Sequence, residues 1–172
     1  MKNFSLLSIF AILLLNGCAL IDEQYKQDIV GTWSYYHYDY DDTQTDEKLL
    51  ISVEGKISFT MGMRFKDISV ATFTWRSEDY GEVKLKYQIS INGTYDIKNT
   101  YLILNYFFNN LEFKQIKTAQ NNYLIDYYVL DKWVRDNLPT VFQAELLKNS
   151  KGSIDEMTKN RMVVSDQVYQ KE

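Results

Sequence analysis

Cysteine, histidine and proline each occur once in these 172 residues, and glycine only seven times. One cysteine cannot form an internal disulfide, so the fold has to be held by its apolar core. One histidine, His37, and no serine in a Gly-x-Ser-x-Gly setting leave no nucleophilic triad to assemble, so no catalytic residue is assigned. The same scarcity of thiols and imidazoles removes transition-metal ligation, and His37, set among tyrosines, reads as an aromatic-cluster or surface residue. So few prolines and glycines exclude collagen-like, linker-dominated and disordered chains. No glycine-rich loop of the phosphate-cradling type is present. The formal net charge is −4, and no basic stripe interleaved with aromatics offsets it, which argues against a nucleic-acid partner. Acidic residues gather at Asp39, Asp41, Asp42, Asp46 and Glu47, without the spacing or central glycine of an EF-hand loop, and this stretch reads as a solvated loop. No cofactor and no metal is expected.

What the chain has in quantity is aromatic residues, fourteen tyrosines, nine phenylalanines and three tryptophans, a composition suited to strands. Period-2 alternation dominates from residue 57. Ile57, Phe59, Met61, Met63 and Phe65 alternate with polar residues, as do Ala71, Phe73 and Trp75, and then Val83, Leu85, Tyr87, Ile89 and Ile91. Strand geometry sends each such set to one face, whereas helical spacing would scatter it. Earlier strands are expected at 29–40 and 49–53, with Glu54-Gly55-Lys56 as the turn that follows. Asn92-Gly93 and Lys98-Asn99 read as further turns, and strands are expected at 101–108, 111–116 and 123–130. One region breaks the pattern. Residues 131–148 place Leu138, Val141, Phe142 and Leu146 at helical spacing, with a break expected near Pro139 because proline cannot sit inside a helix without disturbing it. Asn149 to Ser153 would end the helix and lead to a closing strand at 161–168. The expected fold is all-β, a meander of antiparallel strands curling into a barrel or strongly curved sheet, with one C-terminal helical segment before the last strand.

The N-terminus reads as a secretory address. Lys2 precedes an apolar run from Phe4 to Leu15 that falls short of the ~20 residues a membrane-spanning helix needs. Its end, Leu13-Leu14-Leu15-Asn16-Gly17-Cys18, resembles the lipobox of bacterial lipoproteins. That resemblance implies removal of residues 1–17 as a signal peptide, acylation of Cys18 by palmitate or a similar chain, and a polar tether at 18–28 ahead of a domain at 29–172. Ala19 stands where an inner-membrane-retained lipoprotein would carry aspartate, which implies an outer-membrane location facing the periplasm or the surface. Each buried methylene adds about 0.8 kcal/mol of membrane affinity, so the two or three chains of such an anchor would be a lasting attachment.

Gly31-Thr32-Trp33 is similar to the Gly-x-Trp opening strand of lipocalins and of bacterial lipocalin-like lipoproteins. The run from Gly93-Thr94-Tyr95 to Leu104 and the ending from Ile154 to Tyr169 resemble the internal hairpin and closing strand of those proteins. The resemblance implies a lipocalin-like barrel in which Trp33 packs at the closed end against a basic residue of the closing segment, a role that would fall to Arg161. If the inward stripes line a cup, Phe59, Met61, Met63, Phe65, Phe73, Trp75, Tyr87 and Ile89 are its wall, although side chains this large also serve to fill a barrel. Two readings follow. In the first, an envelope lipoprotein binds a small apolar or amphipathic ligand in the barrel without catalysis. In the second, the barrel is packed solid and its outer aromatics meet an envelope protein or glycan. Metabolic labelling with an alkyne palmitate should tag the exported protein, and Cys18→Ser should abolish the tag. An untagged wild type would refute the anchor.

Overall fold

The computed structural model describes residues 20–41, 48–77, 81–116 and 125–172. Cys18 and the expected signal segment lie outside them, as do most of the acidic loop and residues 78–80. The elements are helix α1 (20–28), strands β1 (Gly31–Asp41), β2 (Lys48–Thr60), β3 (Arg64–Ser77), β4 (Gly81–Lys98), β5 (Tyr101–Tyr106) and β6 (Glu112–Ile116), helix α2 (Ile125–Lys148), and strands β7 (Lys151–Met157), β8 (Arg161–Val164) and β9 (Gln167–Lys171). Every pairing is antiparallel, and the ring runs β1-β2-β3-β4-β5-β7-β8-β9 and back to β1. This is a closed eight-stranded, lipocalin-like meander barrel, and β6 with α2 forms an excursion between its fifth and sixth strands.

The first four strands are too long for the ring. They carry 11, 13, 14 and 18 residues, whereas β5, β7, β8 and β9 have 4 to 7. Their ends near residues 31, 60, 64 and 98 close the barrel, and β1 meets β9 only at Trp33 to Tyr35. Their other ends continue as an open sheet, in which β4 pairs with β6 from Lys86 to Ser90 and with β5 only from Gly93 onward. The inward face therefore builds two cores. Trp33, Ile57, Phe59, Phe65, Tyr95, Ile97, Leu102 and Met162 fill the barrel, while Ala71, Phe73, Val83, Leu85, Tyr87 and Ile89 pack under Val134 and Leu138 of α2. The Asp131 carboxylate pins α2 to the sheet, accepting bonds from the Tyr87 hydroxyl at 2.7 Å and the Gln115 amide at 2.8 Å and pairing with Arg135 at 2.8 Å.

At the closed end the indole of Trp33, wholly buried, donates to the Ile29 carbonyl at 2.7 Å. The cation above it is Lys171 of β9, with its ammonium 5.0 Å from the ring centroid and donating to the Asp28 carbonyl at 3.0 Å. Arg161, expected in that place, pairs instead with Glu156, because β9 and not β8 is the strand hydrogen-bonded to β1, with Lys171 opposite Trp33. Residues 20–28, expected as a polar tether, form a helix docked on this end: Tyr25 packs on the barrel core and Asp22 accepts the backbone N–H groups of Asn99 and Thr100. Those two residues have φ of 53° and 61°, so the expected Lys98-Asn99 turn is present and stitched to α1.

Other local expectations are corrected. Residues 57–65 are two strands joined by a turn at 61–63, which leaves Met61 84% exposed and gives Met63 a φ of 57°. Gly55 and Gly93 lie inside strands rather than turns. Each occupies an inward position where a neighbour needs the room of a missing side chain. Residues 125–130 belong to α2 and not to a strand, and α2 is one helix that includes Pro139. Val134, Leu138 and Phe142 grip the sheet on both sides of the proline, so packing outweighs the lost backbone hydrogen bond. Val141, expected on that stripe, faces outward and is exposed. The closing strand is β8 and β9, reversed at Ser165 and Asp166, and β7 precedes them where a joint was expected.

A Cβ at Gly93 would stand 2.1 Å from the Asn105 carbonyl oxygen, at the point where β4 exchanges β6 for β5. Backbone cannot yield as a side chain does, so Gly93→Ala should destabilise the protein by at least about 2 kcal/mol. Urea unfolding should show this as a lower midpoint with an unchanged slope.

Candidate functional site

Between the two cores the inward face of β3 changes character. Its inward positions are Phe65, Asp67, Ser69, Ala71 and Phe73, so a carboxyl and a hydroxyl separate the apolar residues of the barrel from those beneath α2. The neighbouring strands are cut to fit. Tyr35 on β1 pairs with Gly55 on β2, and Gly55 pairs with Ser69 on β3. A Cβ at Gly55 would lie 2.6 Å from the Tyr35 hydroxyl oxygen and 2.7 Å from the Ser69 Cβ. The bare glycine thus lets Tyr35 lay its side chain across β2 and donate to Asp67, with its oxygen 3.0 Å from both carboxylate oxygens and Ser69 beside it.

Two further tyrosines complete this layer. The Tyr169 ring of β9 sits 5.5 Å from that of Tyr35, tilted by 57°. Tyr106 of β5 stands edge-on to Phe65 at 5.3 Å and stacks with Phe108 at 6.0 Å. Asp67, Tyr35, Tyr106 and Tyr169 are surrounded by protein on most sides, yet each keeps part of its surface open to solvent. We call this half-open polar layer between the two filled cores the cup. Burial pushes the Asp67 carboxyl up to about 7, with the Tyr35 hydroxyl pulling the other way. Burial and the Asp67 charge together push the phenols of Tyr106 and Tyr169 up, so both stay protonated donors. The layer therefore offers one carboxyl that titrates near neutrality and three hydroxyl-bearing rings.

The residues expected as a ligand wall are divided by this geometry. Phe59 and Phe65 are buried in the barrel core, where Phe65 forms the cup's floor under Tyr106. Met63 packs on the same core near the closed end, and Met61 projects from its turn. Phe73, Tyr87 and Ile89 belong to the second core under α2. Trp75 lies in β3, but its side chain is outside the described residues. Trp33 keeps its structural place at the closed end and Arg161 does not join it. None of Tyr35, Asp67, Tyr106 or Tyr169 was among the expected wall. The available signal was parity: Asp67 shares its inward register with Phe65 and Phe73, which is an unusual position for a carboxylate.

A groove of about 860 Å³ runs over the outer face, with Tyr36, Ile68, Val70 and Val168 against Lys56 and Lys66. Tyr35 and Gly55 border it too, so at Gly55 a single backbone separates groove from cup. Lys56 is tied to Glu172 at 2.6 Å. Among the described residues no three His, Cys, Asp or Glu side chains are placed to hold a metal ion. No family model matches the chain, and no curated protein matches it in sequence.

The sign of the pH effect follows from the raised Asp67. In the folded protein this carboxyl holds its proton to about 7, against about 3.9 when unfolded. The folded state thus binds more protons across that interval, and stability falls as pH rises through it, by at most about 1.4 kcal/mol per pH unit. Asp67→Asn should flatten this slope and leave the variant more stable than wild type at pH 8. Urea midpoints at pH 5, 6, 7 and 8 test it, and parallel curves for the two proteins would contradict it.

Proposed function

We propose that this protein is a non-catalytic binder of the bacterial cell envelope, lipid-anchored through Cys18 at the outer membrane, that takes a small apolar or amphipathic molecule into the cup at mid-barrel. The observation that carries the reading is the layer of Tyr35, Asp67, Tyr106 and Tyr169, partly open to solvent between two filled cores. Small-molecule sites are mostly aromatic or apolar surfaces with a few convergent polar groups, and this layer has that composition. The apolar part of a ligand would replace water on the tyrosine rings, and the hydroxyls and carboxyl would set its orientation. Asp67 has a phenol as its hydrogen-bond partner, with no cation or second carboxylate beside it among the described residues, which favours recognition over acid–base chemistry. None of the described helices is long and apolar enough to cross a membrane, so in this reading attachment rests on the acyl chains. The lipocalin-like barrel is compatible with this role.

Native mass spectrometry of the protein released from bacterial membranes in mild detergent should show a bound small molecule of defined mass. Gly55→Val, which fills the space used by Tyr35, should lose that mass while circular dichroism stays that of a β protein. Wild type with no adduct, or an adduct equally present in Gly55→Val, would refute the cup as the seat.

A further inference from the structure

Asp67 is held by less than it can accept. An ionised carboxylate has about four acceptor sites. Here the hydrogen-bond donor is one tyrosine hydroxyl, shared between the two oxygens at 3.0 Å each. Among the described residues no lysine or arginine pairs with it. Lys171, the cation that reaches into the barrel, is occupied with the Trp33 ring and the Asp28 carbonyl. Around the carboxyl stand the rings of Tyr35, Tyr106 and Tyr169, whose faces attract cations. A buried negative group without a counter-ion, set among electron-rich rings and partly open to solvent, is complementary to one class of guest.

We propose that the cup selects an organic cation, the ammonium group of a small amine seated against Asp67 with its substituents on the faces of Tyr106 and Tyr169. This deepens the cup reading above and rests on it. An anion would meet the carboxylate's repulsion, and an uncharged alcohol would leave the carboxyl to be neutralised by a proton. Cation and proton therefore compete for one site. As the ammonium enters, Asp67 gives up its proton to solvent, and no other bond is made or broken. The groups facing Asp67 are Tyr35 from β1, Tyr106 from β5 and Tyr169 from β9, none of which titrates near neutrality. On β2 Ile57 pairs with Asp67, with Gly55 opposite the neighbouring Ser69, and on β4 Ile91 pairs with Asp67. His37, the next inward position above Tyr35, is exposed.

Isothermal titration of the full chain in detergent, with choline as probe and 3,3-dimethylbutan-1-ol as its uncharged isostere, tests the assignment. Choline should bind saturably at pH 8 and at least about tenfold more tightly than the alcohol. Its affinity should fall about tenfold between pH 8 and pH 6, as the carboxyl that titrates near 7 takes up its proton. Asp67→Asn should lose the preference for choline and its pH dependence. If that variant does not fold, the pH series on wild type decides alone. Equal or tighter binding of the alcohol would overturn the cationic guest and leave the cup standing. Binding of choline that ignores pH would overturn it as well. Binding of neither probe, with no native adduct, would remove the cup together with its guest.

Discussion

Strand length is the constraint from which the rest of this structure follows. At about 3.3 Å per residue, β4 extends for roughly 60 Å, far longer than β5, β7, β8 or β9 can match. A closed ring can use only the part of β1 to β4 that has partners on both sides. The remainder keeps its inward-facing apolar residues and must find another cover, which α2 supplies. The excursion through β6 and α2 is therefore a requirement of the long strands rather than an ornament on a barrel. Asp131 shows how closely it is fitted, since one carboxylate joins helix, β4 and β6.

Where the two cores meet, neither owns the space. Phe65 and Phe59 belong to the barrel core, and the helix-covered core begins at Ala71. Between them lie Asp67 and Ser69, at a cost in buried polarity that an apolar pair would avoid. The surroundings lower that cost without removing it: Gly55 gives Tyr35 its path, Tyr35 gives Asp67 a donor, and solvent still touches the carboxyl. A charge kept in so unfavourable a place, with the backbone shaped to reach it, is a feature that stability alone would not select.

Much of the architecture was legible from alternation. The parities of Phe65, Phe73, Val83, Leu85 and Ile89 are those of the folded chain, and the helix before the final strands carries Leu138 and Phe142 inward. The glycines misled because Gly55 and Gly93 serve close approach across strands, a need that only a three-dimensional register reveals. Residues 20–28 are polar enough to read as a tether, and their helix is fixed by contacts to residues far along the chain: Asp22 to Asn99 and Thr100, and Asp28 to Lys171. The cup was missed because the search for a wall selected apolar residues in alternating rows. Asp67 fell between two such rows, and its tyrosine partners come from β1, β5 and β9, which no local spacing relates.

The docking of α1 also sets a direction. The helix begins at residue 20, and Asp22 and Tyr25 hold it to the floor of the barrel. In the proposed anchoring, Cys18 stands only two positions before the first residue of this helix. Under the anchoring proposed above, the base of the barrel would be the side set against the bilayer, and the proposed guest would enter from water rather than from lipid.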